Sequence, residues 1–79
     1  MEKNPNVNQQ LVGTVNIGYY ILDQKEDEAG DTWVIAFSPT KKEFVTWFYN
    51  TECGSYSWGH YIRSLEAAYT DFKCRYEGR

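Results

Sequence analysis

Between Glu43 and Asn50 the chain reads EFVTWFYN, a run dense in β-branched and aromatic side chains that constrains the fold more tightly than any other. Val45, Trp47 and Tyr49 fall on one side of this segment and Phe44, Thr46 and Phe48 on the other, the period of two that belongs to a strand. Its neighbours repeat the pattern. Thr32 to Ser38 places Trp33, Ile35 and Phe37 on one face and Val34 and Ala36 on the other. Pro39 opens a PTKK segment suited to a type I turn, so these two strands pair as an antiparallel hairpin. After NTECG, residues Ser55 to Tyr61 alternate again and predict a further strand, with Gly59 weakening its end.

Towards the start, Leu11, Val15, Ile17, Tyr19 and Ile21 alternate with Thr14, Asn16 and Gly18, which predicts one strand through this region. Residues 1–10 hold three Asn, two Gln and Pro5, and read as a flexible N-terminal arm outside a single domain at 11–79. The segment DQKEDEAGD, Asp23 to Asp31, reads as an exposed acidic loop with Gly30 available for positive φ. Ser64 is a natural helix N-cap, Glu66 suits the first turn, and Gly78 suits the stop. In the helix between them Leu65, Ala68, Tyr69, Phe72 and Tyr76 share one stripe, while Glu66, Thr70, Lys73, Cys74 and Glu77 point away. Asp71 and Arg75 stand at i and i+4 with the acid first, a favourable ion-pair order. The expected fold class is α+β: a four-stranded antiparallel β-meander with one C-terminal α-helix packed on one face.

Seventy-nine residues make one small domain, and 3 Trp, 7 Tyr and 4 Phe must do most of its packing. Eleven acids against eight bases, a net charge of −3, count against wrapping a phosphate backbone. Lys41, Lys42, Arg63, Lys73, Arg75 and Arg79 could still line a basic edge beside stacking aromatics, which keeps single-stranded nucleic-acid binding as the alternative. No apolar run reaches 18 residues and the start is polar, so neither a spanning helix nor a secretory signal is expected, and a cytoplasmic location follows. Cys53 and Cys74 lack a second pair or a clustered histidine, so free thiols are expected in place of a zinc site or disulfide, with no metal and no cofactor.

Cys53, His60 and Asp71 are the residue types of a nucleophile, base and orienter. Cys53 belongs to a hairpin loop and Asp71 to the expected solvent side of the helix, so no catalytic residue is assigned and a non-enzyme is expected. Gly13 and Gly18 lie within strand pattern and do not make a phosphate loop.

One helix covers one face of a sheet. The aromatics of the other face, Tyr20, Phe44, Phe48, Tyr56 and Trp58, are therefore the expected partner-binding surface. Glu26, Asp27 and Glu28 of the acidic loop join them, either as plain solvated charge or as an imitation of a phosphate row. Burying the aromatic face against a second copy would also satisfy it, so a homodimer is a further expectation.

FVTWFYN, a glycine-containing turn, YSWGHY and SLEAAYTDF together resemble small accessory proteins of phages and conjugative elements of Gram-positive bacteria, across roughly the C-terminal half. That neighbourhood includes inhibitors of host defence such as anti-CRISPR proteins. The resemblance implies a binding protein that inhibits or modulates a host protein by steric occlusion, a host nuclease among the candidates. It carries no catalytic residue.

Overall fold

The computed structural model describes residues 10–78. Five strands precede one helix: β1 (Val15–Asn16), β2 (Tyr19–Glu26), β3 (Thr32–Ser38), β4 (Glu43–Asn50), β5 (Ser55–Ile62) and α1 (Leu65–Glu77). They form an antiparallel α+β meander in sequence order, β1-β2-β3-β4-β5. Four strands were expected, and the fifth comes from Ile17 and Gly18. Both have positive φ, 42° and 87°, as a tight two-residue hairpin turn requires. Glycine accepts that conformation freely; isoleucine does not, so the pattern of residues 11–21 hides the turn. The acidic loop is correspondingly shorter, because Asp23 to Glu26 complete β2.

The sheet is strongly curled. Three strand spacings separate β2 from β5, roughly 14 Å in a flat sheet, yet the rings of Tyr19 and Tyr61 have centroids 5.9 Å apart. Two bulges lie on these two strands: Leu22 is the extra residue of β2 against β3, and Trp47 of β4 faces both Trp58 and Gly59 of β5. Bulges bend a strand and sharpen its twist, which brings the two sides of the meander together. The interior so formed holds Tyr19, Ile21, Val34, Ala36, Val45, Trp47 and Tyr49. Leu11 closes it, 5% exposed, and the backbone N–H groups of Leu11 and Val12 both donate to Oε1 of Gln24, at 2.6 and 3.0 Å.

This arrangement corrects the expectation of a bare sheet face. The face carrying Val45, Trp47 and Tyr49 is sheltered by the curl and by Leu11 and Val12, and α1 lies on the face that carries Phe44 and Phe48, the one expected to be bare. There Ala68 and Phe72 pack on Ile35, flanked by Trp33, Phe44, Ile62 and Tyr76. Burying Phe72 stabilises the contact by about 1.5 to 3 kcal/mol. Ser64 caps α1 as expected, its Oγ accepting from Ala67 N at 3.2 Å, and Gly78 ends it with φ 79°. The packed stripe differs from expectation, since Leu65 and Tyr69 stay 53% and 38% exposed. The helix is turned instead towards its Asp71 and Arg75 side, because β4 and β5 offer polar partners there. Of the expected arm, residues 1–9 lie outside the described residues. Among the described residues, no helix is long and apolar enough to cross a membrane.

Candidate functional site

The helix-covered face carries an aromatic step at its edge. Trp33 and Phe48 are opposite each other in the β3–β4 register, with ring centroids 5.4 Å apart, edge to face. Trp58 stacks on Phe48 at 4.8 Å and leans on Trp33 at 6.3 Å. Strand parity alone would put Trp58 beside Tyr56; the bulge turns it to the other face. Its φ of 60° lies in the left-handed region. For a bulky L-residue that conformation costs about 1 to 2 kcal/mol, and such strain persists where the surroundings or a function require it. Gly59 allows the bulge by keeping the strand close to the core: a Cβ there would lie 2.9 Å from Nε1 of Trp47 and 2.9 Å from a ring carbon of Tyr61. Despite the stack, Trp58 remains 64% exposed.

A polar network adjoins the step. Thr46, fully buried on β4, donates its hydroxyl to Oδ2 of Asp71 at 2.5 Å. Both carboxylate oxygens of Asp71 lie 3.1 Å from Nδ1 of His60 on β5. Arg75 donates Nη1–H to the Thr46 carbonyl at 3.0 Å and to its hydroxyl at 3.1 Å, and Nη2–H to Nε2 of His60 at 3.1 Å. A guanidinium has no lone pair to offer, so Nε2 accepts, and Nδ1 carries the proton directed at Asp71. Arg75 also lies 4.9 Å over the Trp33 ring, a cation–π contact that joins network and step. Burial lowers the pKa of the Arg75 guanidinium, with Asp71 acting in the opposite direction. The expected solvent position of Asp71 is thus corrected: it and Arg75 hold α1 to β4 and β5.

The structure separates the sequence-derived surface into parts. Phe48 and Trp58 belong to the step. Tyr20, 50% exposed, pairs with Phe37 at the other end of the same face. Phe44 sits in that region too, half-buried, 4.7 Å from Phe37 and packed at the helix cluster. Four residues along β4 place Phe44 about 13 Å from Phe48, so the two ends do not form one patch. Tyr56 is on the interior side, its ring 5.0 Å from Trp47 and 4.9 Å from Tyr49. Burial, then Tyr49, raises the Tyr56 pKa, against a Thr14 hydrogen bond that lowers it.

Asp27 is a structural residue of its hairpin. Its Oδ1 accepts from the N–H groups of Ala29 and Asp31 at 2.9 Å each, and its Oδ2 from the Trp33 indole at 2.9 Å. Burial acts to raise its pKa; the bonds from Trp33 and the loop backbone outweigh that and lower it. Glu26 and Glu28 are exposed at the same hairpin.

Of the nucleophile, base and orienter considered from sequence, His60 and Asp71 meet and Cys53 does not. Cys53 lies in the β4–β5 turn, its Sγ 3.0 Å from Ser55 Oγ. The five residues from Ser55 to His60 span roughly 16 Å of strand. Both cysteines are free thiols. Sequence reasoning missed Trp33 as the neighbour of Trp58, and Thr46 and Arg75 as the neighbours of His60; the Asp71–Arg75 spacing was the available signal, read as a helix-surface pair. No family model, no curated protein and no solved structure matches the chain.

Proposed function

We propose that the chain is a small binding protein that recognises another protein through the Trp58–Phe48–Trp33 step and acts by occupying that partner's surface. The observation that carries this reading is Trp58 itself: an indole held in a left-handed backbone conformation, stacked on Phe48, yet 64% exposed. Tryptophan in a preformed aromatic setting is the residue type most often decisive in protein recognition. Glu26 and Glu28 fringe the hairpin that Asp27 ties to Trp33, so the step has an acidic border suited to a basic partner surface. An inhibitory role against a host protein, with a defence nuclease as target, draws on the resemblance to mobile-element accessory proteins; a nucleic-acid-binding partner would supply the basic surface. That reading puts the protein in the cytoplasm with its target.

The test is affinity capture from a candidate host lysate with the parent chain and Trp58→Asn. The retained protein is identified, purified and titrated against both. Binding to the parent with at least a tenfold loss in Trp58→Asn supports the reading. Equal binding by the two contradicts it. Single-stranded oligonucleotide titration and light scattering accompany it: oligonucleotide binding with a steep salt slope would transfer the step to nucleic-acid recognition, and a dimer dissociated by Trp58→Asn would transfer it to self-association.

A further inference from the structure

We propose that His60 and Arg75 form an oxyanion-binding site, taking a phosphate or carboxylate oxygen between Nε2 of the imidazole and the guanidinium. This assignment does not depend on the function of the aromatic step.

The two nitrogens, Nη2 and Nε2, stand 3.1 Å apart, and the His60 side chain is 52% exposed, so the pair is open to solvent. Both groups are held from behind. Asp71 grips Nδ1 and thereby points Nε2 outward, while Thr46 and the Trp33 ring fix the guanidinium plane. Among the described residues, the hydrogen bonds of Arg75 go to a carbonyl, a hydroxyl and an imidazole nitrogen, none of them a carboxylate. Burial already disfavours its charge. A desolvated cation with neutral acceptors gains from an anion.

The present contact needs an unprotonated Nε2. Once that nitrogen gains a proton, two donors face each other and the hydrogen bond is lost. An oxyanion placed between them accepts from both and restores it. The charges facing His60 are Asp71 and Arg75, both from α1; β4 contributes Thr46 at this row and no ionisable group. With His60 neutral these charges cancel, and with His60 protonated the cluster carries one net positive charge. Anion binding is therefore coupled to proton uptake at His60, and it strengthens as the pH is lowered.

The experiment follows the His60 ring and Arg75 side-chain NMR signals of the full chain while sodium sulfate or sodium acetate replaces sodium chloride at constant ionic strength. Sulfate stands in for a phosphate group because its charge stays constant between the two conditions, roughly pH 5.5 and pH 8. The expected result is saturable shifts at both residues with about tenfold tighter binding at the lower pH. His60→Gln should abolish this pH dependence, and Arg75→Lys should weaken binding at both pH values. Saturation by both anions assigns the site to carboxylates and phosphates alike; saturation by sulfate alone assigns it to phosphate groups. Shifts that stay linear with both anions, or unchanged affinity and pH dependence in His60→Gln, would overturn the proposal.

Discussion

Replacing Gly59 with alanine adds one methyl group at the place where β5 crosses the indole of Trp47. The new Cβ would lie 2.9 Å from Trp47 Nε1, 2.9 Å from a Tyr61 ring carbon and 3.1 Å from Trp47 Cδ1. Comfortable separations are about 3.5 to 4.0 Å, so either both rings or the strand must yield by more than half an ångström. Tyr61 is 51% exposed and can turn aside, but Trp47 cannot, so the indole contact sets the cost. Trp47 is 3% exposed and wedged between Tyr19 at 5.5 Å and Tyr56 at 5.0 Å, and Tyr61 is in contact with Tyr19. Overpacking of this kind costs about 1 to 3 kcal/mol. The reduced freedom of the unfolded chain returns about 0.4 to 1 kcal/mol. A net loss of about 1 to 2 kcal/mol follows, which for a domain of this size lowers Tm by roughly 4 to 16 °C. Urea unfolding followed by tryptophan fluorescence should show a lower midpoint with an unchanged slope. A Gly59→Ala variant as stable as the parent would refute the close approach of β5 to Trp47, and with it the curl.

Other consequences follow from individual contacts. Leu11→Ala opens the interior where the chain's leading residues close it and should cost about 2 kcal/mol, the low end for a buried leucine, read by the same urea series. Burial, with Glu43 accepting the Tyr19 hydroxyl hydrogen at 2.9 Å, pushes the Tyr19 pKa up to about 12. A raised folded value means stability fully present below the unfolded value near 10 and lost as pH rises towards 12. Tyr19→Phe should therefore flatten alkaline unfolding, and an equal alkaline slope in parent and variant would contradict this. Asp27 has the opposite sign: its lowered pKa contributes stability above the ordinary carboxylate range that is lost as pH falls through the folded value. Asp27→Ala should lower stability at neutral pH and reduce the acid dependence, as seen in melts from neutral to acid pH.

What could be read from the chain follows the range of the interactions. The caps of α1 depend on Ser64 and Gly78 alone, and EFVTWFYN makes a strand in almost any setting, so both were legible. The β1–β2 turn was not, because isoleucine at φ 42° contradicts the usual turn chemistry. Bulges defeat parity in the same way: Tyr56 and Trp58, both even-numbered, were grouped together, and the extra residue opposite Trp47 sends them to different faces. The curl that brings Tyr19 to Tyr61 joins residues 42 positions apart, beyond the reach of a local pattern. Trp58 and Phe48 were recognisable as aromatics beyond the needs of a small core. Trp33 reaches them through the β3–β4 register and the β5 bulge, and Arg75 comes over Trp33 only once α1 is laid across the sheet.

The claim on which the functional account rests is that Trp58 is kept strained and exposed for recognition, and folding does not need it. Asparagine tolerates the left-handed conformation, so Trp58→Asn relieves about 1 to 2 kcal/mol of backbone strain, against about 0.5 to 1.5 kcal/mol lost with the Phe48 stack and about 1 kcal/mol for the third of the side chain that is buried. The thermal melt of this one variant is the direct measurement. A Tm within about 10 °C of the parent's is expected; a larger fall would make Trp58 a structural member of the core and contradict the account.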